Sequence, residues 1–350
     1  MTASIFNKII FISYYMRFSP IILLLILTAC QKDDTSNSIN TNQVVEEHDV
    51  ENSTVDFPPI EWVSSLDLNI AISSSDNVDI NYLTRSNLDY KPTYSPDGTQ
   101  IAFFRVEDYG GSSQPENWKT KICVINVDGT GFKELTSGNH TDWNPMWTRD
   151  GSNKVIFTRF IGLFPYRTRV YRVDLDDGQE EELISDPSNS EFVYSGLKDG
   201  RSLVRRNGDN AEYYLLKPTS DGPIYEKINS PNYFLHKMSI SPSENKITYM
   251  KVKDFTYGID AGAVIAFADF DPDLLSISNE REITFYDPNN VTWYPCWNKE
   301  ENRIIYALIS NSNSRIGQIL SYELDNNRTS IISKHSSKSY WYPNVKDVVK

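Results

Sequence analysis

The chain has 350 residues and a formal net charge of −13, with 34 Lys and Arg against 47 Asp and Glu. That balance excludes electrostatic capture of a nucleic-acid backbone. With 21 Tyr, 16 Phe and 7 Trp the chain is too aromatic to be disordered, and three Cys and four His exclude a disulfide scaffold or a multi-zinc architecture.

Residues 1–29 read as a secretory signal peptide. Arg17 precedes the apolar run Ile21 to Leu27, which is shorter than the roughly 20 residues a membrane-spanning helix needs, and small residues follow. Met16, directly before Arg17, is an alternative start to Met1. The segment Leu27-Thr28-Ala29-Cys30 resembles the lipobox of bacterial lipoproteins. This resemblance implies acylation of Cys30, which becomes the mature N-terminus and anchors the protein to a membrane. Gln31-Lys32-Asp33-Asp34 is similar to the signal that sends lipoproteins of Bacteroidetes to the outer cell surface. The expected location is therefore the outer membrane, facing the exterior, with the periplasmic face as the alternative. Residues 30–56 are mostly polar and read as a flexible tether.

From residue 57 to residue 350 the chain repeats itself. Pro92-Thr93-Tyr94-Ser95-Pro96-Asp97-Gly98, followed by Ile101-Ala102-Phe103, reads as a strand, a tight turn and a second strand. Equivalent anchors fall at 92, 145, 194, 238, 295 and 343, spaced 44 to 57 residues apart. Between anchors come two more strands joined by turns such as Asp128-Gly129, Asp177-Gly178 and Asp221-Gly222. Four short strands per repeat at this period predict an all-β chain, a β-propeller with one antiparallel blade per repeat. The phrases Tyr94-Ser95-Pro96-Asp97-Gly98 and Val127-Asp128-Gly129 with Leu135-Thr136 resemble the repeats of TolB-like β-propellers, which usually have six blades. Six blades fill residues 57–350 and leave no stretch for a hydrolase domain of the prolyl-peptidase type. The last anchor, Pro343, has only its first strand left. The ring is thus expected to close by pairing it with strands around Trp62, Ile70 and Asn81.

Turns between strands 1 and 2 are short, whereas the 2–3 loops (Val106 to Lys119, Phe160 to Thr168 and Lys251 to Gly262) are long and carry Trp118, Tyr166 and Tyr257. Long loops gathered on one face mark a binding side. Two residues before each anchor stands Tyr90, Trp143, Phe192, His236, Trp293 or Trp341. At the start of the innermost strands these form either a collar around the channel mouth, stacking on a glycan, peptide or partner protein, or wedges that seal neighbouring blades. Trp147 and Trp297, two after their anchors, are expected to be such wedges.

Chemistry is sparse. No catalytic or cofactor motif is present, so neither a cofactor nor a catalytic residue is assigned. His140, His236 and His335 fall in blade-to-blade connections, with Asp142 and Glu191 in equivalent positions. Some polysaccharide lyases built on propellers use His and a divalent metal at such a mouth, which keeps a metal-assisted carbohydrate lyase open as the rival to a non-enzymatic binding protein. Cys123 and Cys296 lie in strands of different blades and read as buried thiols.

Overall fold

The computed structural model describes residues 60–75, 79–111, 117–163, 166–183, 190–207, 211–230, 233–253, 262–285, 287, 290–310, 317–333 and 340–345. The signal peptide, the tether, Cys30, Tyr257 and His335 lie outside the described residues, as do the side chains of Tyr166 and Trp341.

Strands β1 (Glu61–Leu66), β2 (Asn69–Ser74) and β3 (Asn81–Tyr82) open the chain. Blade 2 holds β4 (Asp89–Tyr94), β5 (Gln100–Asp108), β6 (Lys119–Asn126) and β7 (Lys133–Glu134). Blade 3 holds β8 (Thr141–Trp147), β9 (Lys154–Leu163), β10 (Tyr166–Asp174) and β11 (Glu180–Glu182). Blade 4 holds β12 (Ser190–Gly196), β13 (Ser202–Asn207), β14 (Ala211–Lys217) and β15 (Ile224–Lys227). Blade 5 holds β16 (Leu235–Ile240), β17 (Lys246–Val252), β18 (Ala263–Asp271) and β19 (Ser276–Glu282). Blade 6 holds β20 (Asn290–Trp297), β21 (Arg303–Ser310), β22 (Gly317–Glu323) and β23 (Arg328–Ile331), and β24 (Tyr340–Val345) ends the chain. The strands form six four-stranded antiparallel sheets, and blade 1 has the order β24-β1-β2-β3. The last strand is therefore the innermost strand of the first blade, in the register Trp62↔Val345 and Leu66↔Tyr340. This is the expected closure, and it leaves no inner edge open.

The middle strands are apolar on both faces because each blade is packed between two others. In β5, Ile101 to Phe104 are all buried, and in β17 Ile247 to Met250 are buried without a break. The buried apolar residues fall into six clusters, one in each gap between neighbouring blades. Most outer strands are short, and the outer strand of blade 3, Glu180–Glu182, is wholly charged, which discourages further pairing. The Asp-Gly turns follow their usual chemistry. Asp97 accepts from the Thr99 amide at 3.0 Å, and Gly98 takes the positive φ (69°) that the turn needs.

One loop differs from expectation. Phe160 to Thr168 is not an open loop, because β9 and β10 run on to Leu163 and from Tyr166, joined by residues 164–165 alone. Alternating side chains and cross-strand pairing such as Thr168↔Phe160 extend the hairpin.

Asp142 and Glu191 also lie elsewhere than the connections suggested. Both are in innermost strands and buried, each paired with an Arg of the adjoining strand. Asp142 meets Arg159 at 2.6 Å and Glu191 meets Arg206 at 2.8 Å; Asp89 and Arg105 repeat the arrangement in blade 2 at 2.7 Å. Each guanidinium also covers a ring of its own blade, with Arg105, Arg159 and Arg206 at 4.7, 4.5 and 4.0 Å from Phe132, Tyr171 and Tyr225. The carbonyl of each of these acids accepts a hydroxyl from the preceding blade: Ser65 to Asp89, Thr120 to Asp142 and Thr168 to Glu191. Asp142→Ala would remove the two-pronged partner of a guanidinium that is 8% exposed and leave it only Glu180, at 2.6 Å from Nη1, among its described carboxylate partners. It is expected to cost about 3 kcal/mol in urea unfolding, and Arg159→Met on the same background to recover part of that loss.

Candidate functional site

The innermost strands enclose a cavity of about 160 Å³ at the hub. All six blades contribute, from Lys91 to Pro96, Asn144 to Trp147, Tyr194 to Gly196, Lys237 to Ile240, Tyr294 to Trp297 and Pro343 to Val345. A recurring bulge decides which side chains reach it. The ladder skips between Tyr90 and Thr93, Trp143 and Met146, His236 and Ser239, and Trp293 and Cys296. Just after each aromatic or imidazole, Lys91, Asn144, Lys237 and Tyr294 sit at φ 51°, 60°, 49° and 52°. Left-handed backbone at non-glycine residues costs free energy, and it breaks the alternation of the strand. Pro92, Pro145 and Pro295 come next. A bulge leaves this position outside the ladder, so proline's missing N–H is not felt there.

The bulge therefore separates two neighbours. Tyr90 and Trp143 turn into the gap between blades 2 and 3, Phe192 into that between blades 4 and 5, and Trp293 into clusters on both sides of blade 6. Tyr90 stacks on Phe104 at 5.2 Å; Trp143 packs on Phe104 at 5.3 Å and on Trp118 at 5.9 Å, with Phe160 beyond. None of these residues lines the cavity. Of the two positions open to them, Tyr90, Trp143, Phe192 and Trp293 pack between blades, and the residues one position after Tyr90, Trp143, His236 and Trp293 line the hub. Trp118 belongs to the same packed group. Trp147 and Trp297 are buried between blades as expected, donating to the Thr93 and Ser239 carbonyls at 3.0 and 3.2 Å, and they also reach the cavity wall. Cys123 and Cys296 are buried free thiols.

Lys91, Asn144, Lys237 and Tyr294 were not among the candidate residues, although each directly follows one. Nothing in their types marks them out. The signal was the proline or apolar residue after them, which places a bulge. The Lys91 and Lys237 ammonium groups lie 4.8 and 4.7 Å from the centroid of the Tyr294 ring, and Lys91 also donates to the Asn144 side chain. At the short-turn end, Arg149 reaches from blade 3 to the carbonyls of Ser241 and Pro242 in blade 5.

His236 is 6% exposed and accepts from Arg205 Nη1 at 3.0 Å through Nδ1, with the Tyr194 hydroxyl at 2.9 Å. An arginine only donates, so Nδ1 is the acceptor and the proton sits on Nε2. Burial first, and then the cations Lys237, Arg205 and Lys91, hold this imidazole well below its ordinary pKa. His140 is exposed in a connection. Among the described residues no three His, Cys, Asp or Glu side chains gather as a metal site.

No family model matches the chain. A curated relative, dipeptidyl-peptidase 5 of Porphyromonas endodontalis, is 28% identical over 110 residues, which are 31% of this chain and 15% of that protein. The crystal structure of TolB from Acinetobacter baumannii superposes with a TM-score of 0.60 at 14% identity, covering 82% of this chain and 66% of that one. A candidate TolB from Agrobacterium tumefaciens gives 0.55 at 11% identity, covering 82% of this chain and 98% of that one. The chain carries a TolB-like six-bladed β-propeller. The likeness is one of fold. This TolB-like propeller spans less than two thirds of either the curated peptidase or the first TolB chain.

Two outcomes test the assignment of side chains in the TolB-like propeller. Trp143→Ala is expected to lower stability by about 3 kcal/mol, measured by denaturant unfolding, as for other large aromatics removed from a packed gap. Because folding keeps His236 neutral, its contribution is complete above its ordinary pKa of 6.5 and is lost as pH falls below that value. The slope from this group is about 1.4 kcal/mol per pH unit. Unfolding curves at pH 7.5 and 5.5 should therefore differ less in His236→Gln than in the unaltered protein.

Proposed function

We propose that this chain is a lipid-tethered, non-catalytic binding protein of the bacterial outer membrane that receives a peptide or partner-protein segment at the hub of its propeller. The observation that carries the reading is the hub cavity, which is built from all six innermost strands and combines apolar walls with a few polar and cationic groups. Parts of TolB and of the tricorn protease resemble this propeller, and the curated relative is by name a dipeptidyl-peptidase. Likeness to proteins named for acting on peptides favours a peptide over a glycan as the ligand. The lyase reading has less support, since His236 is buried against Arg205 and Tyr194 rather than presented at a mouth. Attachment through Cys30, with the tether that follows it, would hold the hub near the membrane surface.

Peptide binding at the hub should change the emission of Trp147 and Trp297, which line it. A fluorescence titration against a mixed hexapeptide library and against neutral oligosaccharides separates the two ligand classes; a response to the sugars alone would refute the peptide reading. Cys30→Ala is expected to move the protein from the membrane to the soluble fraction and to abolish labelling with radioactive palmitate.

A further inference from the structure

We propose that the hub is an anion site that grips the C-terminal carboxylate of the peptide segment, with Lys91 and Lys237 as its cations. This rests on the reading that the hub receives a peptide and names the group that it recognises. The whole chain is acidic, with a net charge of −13. The cavity wall nevertheless includes Lys91, Arg149 and Lys237 and, among the described residues, no Asp or Glu. Lys91 comes from blade 2 and Lys237 from blade 5, on opposite sides of the ring, yet both ammonium groups approach the single ring of Tyr294 within 5 Å. Two like charges held together in a partly enclosed space repel each other, and an anion placed between them turns that repulsion into two attractions.

The surroundings add to the same potential. Behind the wall Arg205 is 4% exposed and boxed by the rings of Phe192 and Phe234, each 4.8 Å from its guanidinium. Its Nε makes no hydrogen bond among the described residues. His236, beside it, stays neutral for the reasons given above, so it neither adds to nor offsets the positive charge. The left-handed backbone at Lys91 and Lys237 is the feature that turns both side chains inward, and such strain clusters where a site is built.

Size and charge select the ligand. A cavity of about 160 Å³ compares with the roughly 150 Å³ that admits one benzene, so it takes the last residue of a chain rather than the middle of one. Met146, Trp147, Met238 and Trp297 supply apolar surface for that residue's side chain. A polyanion would be repelled by the acidic exterior before reaching the hub, whereas a single terminal carboxylate carries the smallest charge that the two lysines can use.

The test uses two hexapeptide libraries without Asp or Glu, acetylated at the N-terminus, one as free acids and one as C-terminal amides. Peptides retained by the full chain are counted by affinity-selection mass spectrometry. The proposal expects free acids to be enriched at least tenfold over amides, and Lys91→Met with Lys237→Met to erase that preference while the thermal melt stays cooperative. Equal retention of acids and amides would overturn the carboxylate site and leave peptide recognition standing. Retention of neither library, with binding of acidic oligosaccharides instead, would overturn both. The comparison of acids with amides on the unaltered protein decides the matter even if the double variant fails to fold.

Discussion

The packing of one blade's face against the next is the constraint on which the structure depends. A single four-stranded sheet with two apolar faces cannot stand in water, so every blade needs two neighbours and the row must close. That is why the middle strands are apolar without alternation, and why β24 crosses the whole sequence to complete blade 1. The six apolar clusters are the result, one per gap. The buried acid–arginine pairs of blades 2 to 4 sit within the same architecture. Each fixes the innermost strand to its neighbour, while a hydroxyl from the preceding blade binds the acid's carbonyl.

Filling the gaps and lining the hub are competing demands on one strand. An innermost strand must send large groups sideways to wedge the blades and also point something toward the axis. Regular alternation would tie these two choices together along the whole strand. The bulge after Tyr90, Trp143, His236 and Trp293 releases them by inserting a left-handed residue at the point of change. The large aromatic residues then fill the gaps between blades, and the residues next to them line the hub. The cost is four backbone positions in a sparsely populated conformation, held by the sheets on either side.

Charge is distributed unevenly in the molecule. The sequence as a whole is acidic, but at the hub Lys91 and Lys237 meet over the ring of Tyr294, with Arg149, paired with Glu244 at 3.8 Å, also in the cavity wall. Burial and the cations Lys237, Arg205 and Lys91 keep His236 neutral, with its tautomer set by Arg205.

Much of this was legible in the residues. The spacing of the Pro anchors, the Asp-Gly turns and the paired apolar runs determined the strands, the number of blades and the closure, because each is a local pattern repeated at a regular period. The wedge role of Trp147 and Trp297 was readable for the same reason. The aromatic residue at the start of each inner strand was also visible, but its direction was not, since alternation from Tyr90 cannot be counted through a bulge. Only the tertiary structure decided that Lys91 and Lys237, from sequence positions 146 residues apart (237 − 91), meet over Tyr294. Only the tertiary structure, too, showed that Asp142 and Glu191 pair with Arg159 and Arg206. Those meetings depend on how six sheets converge at one axis, and no segment of the chain carries that geometry by itself.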